Sequence, residues 1–252
     1  MVKITKAPLV CVVTAISSLL SGCFVANDCA TYEEGVVLDR NQDGLPDFRY
    51  LFMGDSIVEF NSQACRSMGH QVGKALGEQV QLEAVTGQRL EEIIQQYTPP
   101  VDSQSDYHWV VVNGGVNNLT QDELWRDDLC DCNGYVNHGA CMQMIDDLSN
   151  QMSGFVQNIQ SSSNAKVALM TYYPTDDDTS FIGACFPYVE QLNDRYRQLS
   201  YDNSRLYVLE TYGDDVPYIE KLNQFGYDKY HPTSAGSEVL AQQALDLFQS
   251  VE

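Results

Sequence analysis

Four short blocks of chemistry-bearing residues follow one another along the chain: Gly54-Asp55-Ser56, Gly87, Gly115-Val116-Asn117-Asn118 and Asp228-Lys229-Tyr230-His231. A serine hydroxyl such as that of Ser56 becomes a nucleophile only beside a base. Of the four histidines, His231 is the best candidate, because Asp228 stands three residues before it. In a turn, that spacing can set the carboxylate against Nδ1 and fix the tautomer. Nε2 is then left to take the serine proton and return it to a departing alcohol. The tetrahedral intermediate of such a reaction needs donors aimed at its oxygen anion. The backbone N–H of Ser56, the N–H of Gly87 and the side-chain amide of Asn117 could supply them, glycine being the residue whose backbone approaches a ligand most closely. Singly, Ser56 and Gly87 read as turn residues and Asn117 as a helix cap or Asx-turn. Only as a set do they point to catalysis. His70, His108 and His138 are read as helix surface, strand start and loop.

Elements that could bring these blocks together are visible as apolar runs. Tyr50 to Met53, Val80 to Val85, His108 to Val112, Lys166 to Tyr172 and Leu206 to Leu209 have the length and composition of buried strands. Segments of helical spacing lie between them, at Ser62 to Leu76, Leu90 to Tyr97, Met142 to Ile159, Pro187 to Leu199 and Ser234 to Phe248. Strand and helix alternate throughout, which predicts an α/β domain with a parallel sheet covered on both faces. Ligands of such sheets bind beyond the carboxyl ends of the strands. Ser56, Gly87 and Asn117 each stand just after one of the first three runs. No Gly-x-Ser-x-Gly elbow is present, which removes the α/β-hydrolase alternative.

These residues carry a resemblance to the SGNH, or GDSL-type, hydrolases. Ser56, Gly87, Asn117 and His231 stand at the four name-giving positions, with Asp228 at the acid position, and the likeness runs from about Tyr50 to the end. It implies a flavodoxin-like three-layer sandwich with strand order 2-1-3-4-5. It also implies cleavage of esters, sometimes thioesters or amides, with no metal or cofactor needed for catalysis. Ile57 replaces the usual leucine and Asn118 the usual aspartate, neither being a reacting group. The expected activity is an esterase working through an acyl-enzyme on Ser56. The same residues would serve an acyltransferase delivering the acyl group to a surface glycan. The alternative outside catalysis is a binding protein on a retained hydrolase fold, since fold alone does not prove function.

The 252 residues suffice for one sizeable core, and a net charge of −21 leaves no cationic face for nucleic acid. Lys3 and Lys6 precede an apolar stretch from Ala7 to Leu20, too short to span a bilayer comfortably, which reads as an export signal. Leu20-Ser21-Gly22-Cys23 ends that stretch and resembles the lipobox of bacterial lipoproteins, in which the cysteine is acylated after cleavage. Phe24 in place of Asp after the cysteine favours the outer membrane by that analogy. Cleavage after Ala26 would instead release a secreted enzyme. The expected organisation is a signal peptide over residues 1–22, an N-terminal segment over 23–49 and a hydrolase domain over 50–252. A Cys-rich insertion lies near 120–141 within that domain.

Six cysteines lie beyond the export signal: Cys29, Cys65, Cys130, Cys132, Cys141 and Cys185. Outside the cytoplasm they are expected to form up to three disulfides, for which sequence permits 15 pairings. Cys130 and Cys132 are poorly placed to bond each other, so they are expected to reach Cys141 and Cys185, leaving Cys29 for Cys65. Zinc held by Cys130, Cys132, His138 and Cys141 is the competing arrangement. Asp39, Asn41, Asp43 and Asp47, with Gly44 between, resemble the oxygen ligands of a short calcium loop, though an ordinary Asp-Gly turn accounts for them equally well. Any ion there would be structural, because the loop enters the first strand on the order of 15 Å from Ser56. Tyr172 and Tyr173 could wall a substrate cleft, but aromatic residues at strand ends are more often core.

Overall fold

The computed structural model describes residues 48–78, 80–100, 107–120, 130, 137–174, 185–212 and 230–251. Five parallel strands form one sheet: β1 (Tyr50–Gly54), β2 (Val80–Ala84), β3 (Trp109–Val112), β4 (Lys166–Met170) and β5 (Leu206–Leu209). Their order is β2-β1-β3-β4-β5, the order that the family resemblance implies. The burial of each strand follows from that order. The inner strands β1 and β3 are buried at every residue and read as unbroken apolar runs, whereas β2 and β5, at the edges, leave polar or partly exposed positions.

Among the described residues, seven α-helices surround the sheet: α1 (Ser56–Glu59), α2 (Met68–Leu76), α3 (Leu90–Gln96), α4 (Val116–Thr120), α5 (His138–Ser162), α6 (Phe186–Ser200) and α7 (Ser234–Val251). α2 and α7 pack together on one face, while α3, α5 and α6 cover the other, giving three layers. Two of the helices were not foreseen. α1 and α4 are single turns that follow β1 and β3 directly, too short to show a helical period. Elsewhere the boundaries moved. Asn61 and Cys65 adopt left-handed backbone, which keeps 61–67 out of the helix and starts α2 at Met68. α5 begins at His138, inside the Cys-rich insertion near 120–141 and ahead of the expected start at Met142, because the Asn137 side chain accepts from the Ala140 N–H at 3.1 Å and caps it.

Several side chains sit differently from expectation. His70 is buried where α2 packs on the sheet and α7, with Nδ1 2.6 Å from Ser67 Oγ, so it is not a surface residue. Burial pushes its imidazole below the ordinary value. His138 is the first residue of α5 and not a loop position. Tyr172 and Tyr173, by contrast, are core residues at 2% exposure each, the reading favoured for strand-end aromatics. Cys130 is bonded to Cys141, one of the pairings anticipated, and that bond removes two of the four ligands of the zinc arrangement. Cys65 and Cys185 are also in disulfides, with partners outside the described residues. Cys23, Cys29, Cys132 and the Asp39, Asn41, Asp43 and Asp47 loop likewise lie outside them.

Candidate active site

The strand order reverses between β1 and β3: the chain passes from β1 outward to β2, then returns to β3 on the other side. Such a switch point opens a crevice at the carboxyl ends of the strands. Ser56 follows β1 and Asn117 follows β3, so the two candidates flank it. Close approach of the flanking turns requires Gly54, since a Cβ there would meet Asn113 O and Val58 Cγ2, each at 3.0 Å. Asp55 then caps α1, its Oδ1 accepting from the Ile57 N–H at 3.0 Å. This turns Ser56 out at the helix start, where the first N–H groups have no intrahelical partner.

Asp55 itself is fully buried. Its Oδ2 accepts from the Tyr172 hydroxyl at 2.6 Å, and the Asn113 amide, with its nitrogen facing the carboxylate, donates to Oδ1 at 2.7 Å. Burial pushes this carboxyl above its ordinary value, opposed by the Tyr172 hydroxyl, the Ile57 N–H and the nearby His231. Burial and the adjacent Asp55 charge keep Tyr172 protonated far above the usual tyrosine value, so it stays a donor. The Tyr172 oxygen in turn accepts from the Val116 N–H at 3.3 Å, which joins the serine turn to the start of α4.

His231 arrives from the far end of the chain, just before α7. Its Nε2 lies 2.7 Å from Ser56 Oγ, within hydrogen-bonding distance, and accepts from the serine hydroxyl in the tautomer that carries its hydrogen on Nδ1. The Tyr173 hydroxyl donates to Tyr230 O at 3.0 Å and anchors the preceding residue. Asp228, the expected orienting acid, lies outside the described residues.

The other two blocks meet each other. Val85 O accepts from the Gln88 N–H in a tight turn whose third residue, Gly87, has φ of +79°, a conformation that favours glycine. Asn117 Nδ2 donates to Gln88 O at 2.8 Å, fastening α4 to that turn and leaving its second N–H to donate elsewhere. Asn118 adds a second tie: its Oδ1 accepts from the Leu90 N–H at 2.9 Å and its Nδ2 donates to Glu91 Oε2 at 2.8 Å. An aspartate at position 118 would set like charges together there, so the departure from the family pattern is matched by Glu91. Ser56, Gly87, Asn117 and His231 thus gather at one sheet edge. Asn113, Glu59, Phe60 and Asn61, which touch them or their turns, had no local signal in the sequence, and Tyr172 was legible only as a strand-end aromatic.

A hydroxyl paired with imidazole, at the same ends of the strands as a glycine turn and a side-chain amide, can perform acyl transfer. Comparison with known proteins agrees at the level of family and fold. The sequence matches the GDSL-like Lipase/Acylhydrolase family over residues 52–239. No curated protein matches the chain. Among solved structures, a lipase from a goat rumen metagenome superposes with a TM-score of 0.58 at 19% identity, covering 79% of this chain and 96% of that one. A carbohydrate esterase family 2 enzyme with a carbohydrate-binding domain from Corynascus thermopiles gives 0.56 at 16% identity, over 82% and 67%. An acetyl xylan esterase from the rumen bacterium Butyrivibrio proteoclasticus gives 0.54 at 14% identity, over 82% and 65%. The chain belongs to the GDSL-like lipase/acylhydrolase family of ester hydrolases.

Proposed function

We propose that the protein is an exported serine esterase that cleaves carboxylic esters through an acyl-enzyme on Ser56. The observation that carries this is the 2.7 Å approach of His231 Nε2 to Ser56 Oγ at the switch point of the sheet. In the first half-reaction Oγ attacks the ester carbonyl carbon while its proton passes to Nε2. The tetrahedral oxyanion is held by the N–H groups of Ser56 and Gly87 and by the Asn117 amide. Collapse breaks the bond to the alkoxy oxygen, which takes the proton from Nε2 and leaves as the alcohol. Water then enters, gives its proton to Nε2 and displaces the acyl group as the acid, and Oγ recovers its proton. Asp228 acts on the Nδ1 side, holding the tautomer.

The substrate is an acyl or acetyl ester of a lipid or carbohydrate, a range supported by the esterase and lipase names of proteins sharing the fold. Leu20-Ser21-Gly22-Cys23 supports attachment to the bacterial outer membrane through a lipid on Cys23. The test is hydrolysis of chromogenic esters graded by acyl chain length, using the mature oxidised chain. Turnover is expected to fall by roughly 10⁴-fold or more in Ser56→Ala, with labelling by a serine-directed phosphonate abolished. An inert wild-type chain that no phosphonate labels would sink the esterase.

A further inference from the structure

Three consecutive residues at the end of the nucleophile's helix reach three different parts of the site. Glu59 Oε2 accepts from the Thr86 N–H and hydroxyl, both at 2.5 Å, beside Gly87. The Phe60 ring stacks on the His231 imidazole with centroids 4.5 Å apart and planes 7° from parallel. Asn61, in left-handed backbone at φ +70°, donates through Nδ2 to Pro232 O and Ser237 Oγ, both at 3.0 Å. Asn61 thus holds the backbone of the histidine turn, but a backbone clamp does not set the rotation of the ring. Rotation decides whether Nε2 points at Ser56 Oγ, because turning the imidazole about its Cβ–Cγ bond swings that nitrogen away.

Resting on the esterase reading above, we infer that Phe60 is a positioning residue for the base: its ring fixes the His231 plane and offers a π face to the imidazolium formed when Ser56 gives up its proton. Two tethers converge on this residue. The Phe60 N–H donates to Ser56 O at 2.9 Å, so the ring is referenced to the nucleophile's own backbone, and its face meets the imidazole. The groups facing the imidazole are few among the described residues. Ser56 approaches from α1, the Asp55 carboxylate acts on it from the end of β1, and the Tyr230 ring meets it edge-on at 5.0 Å from its own segment. Phe60 supplies the one parallel face among them. A cation over an aromatic face is favoured by the ring quadrupole, so the contact strengthens as the ring becomes charged in the transition state. Ground-state binding of the ester gains nothing from it.

The kinetic signature is therefore a loss in kcat with KM retained. Phe60→Leu keeps apolar bulk and removes the face, and Phe60→Tyr restores it. Steady-state hydrolysis of a p-nitrophenyl ester is expected to show kcat about three- to tenfold lower in Phe60→Leu, with KM within about twofold. Phe60→Tyr should retain at least about half the wild-type kcat, and both variants should melt near the wild type. Phe60→Met repeats the test should the leucine variant fold poorly. Wild-type kcat in Phe60→Leu or Phe60→Met, or an equal loss in Phe60→Tyr, overturns the positioning role while leaving the esterase intact. A wild-type chain inert to every ester and to phosphonate overturns both.

Discussion

The two ends of the sheet are held by different physics. At the amino ends of the strands, Phe248 of α7 stacks on Trp109 at 4.5 Å and on Tyr50 at 5.7 Å, Tyr207 tilts against Trp109, and Lys166 lies over the Trp109 ring. At the carboxyl ends the contacts are polar, fully buried around Asp55 with Tyr172 and Asn113, and partly buried from Asn117 to Gln88 and from Asn118 to Leu90 and Glu91. Aromatic packing is large in area and weakly directional, so it supplies stability and tolerates small shifts. Hydrogen bonds fix distance and angle together, and they contribute modestly to net stability when made. One end therefore sustains the fold and the other registers the turns that carry Ser56, Gly87 and Asn117. A further division lies within the carboxyl end, where the Phe60 ring is the apolar contact placed directly against the base.

Substitutions at the two ends should separate stability from activity. The largest effect is expected at the amino end, where Phe248→Ala empties a buried aromatic stack and should cost about 3–5 kcal/mol in chemical denaturation. Turnover per folded molecule should stay within about twofold, since nothing in that cluster meets the site. At the carboxyl end Asn117→Ala should do the reverse. Removing the proposed oxyanion donor is expected to lower kcat by about 10²–10³-fold. Its stability cost, measured in the same denaturation series, should be about 1 kcal/mol for the lost bond to Gln88 O. If the two variants moved stability and kcat in step, the division between the ends would fail.

The smallest effect sharpens the account of the buried carboxylate. Burial raises Asp55 above its ordinary value of 3.8, so the stability it contributes is full below that pH and is lost as pH rises through the native value. Asp55→Asn removes this dependence. The variant should be less stable than wild type by about 1–2 kcal/mol near pH 4, through weakened capping and hydrogen bonding, with the gap narrowing as pH rises toward 7. Urea denaturation across that range measures it. A gap that widens with pH would mean that the three donors to Asp55 outweigh its burial.

Much of the fold was legible before any coordinates, for reasons that are local. Continuous apolar runs mark strands buried on both faces, and the inner strands β1 and β3 are buried at every residue. The short helices α1 and α4 were not legible, because a single turn has no period to detect. His70 and the start of α5 were misplaced for a related reason. Burial of one helix face depends on what packs against it, and a cap such as Asn137 is recognised only when its acceptor meets the right N–H.

The residue types and their order along the chain were enough to nominate Ser56, Gly87, Asn117 and His231 as candidates, together with the acyl chemistry that such groups can perform. The proposal of export, too, rests on sequence alone. Tertiary structure decided which side chains hold those groups in place. Asn61 reaches the histidine turn across 171 positions, Tyr172 reaches Asp55 across 117 and Glu59 reaches Thr86 across 27. Contacts between such distant positions leave no trace in local spacing or propensity, because they exist only once the strands have aligned and brought their carboxyl ends together.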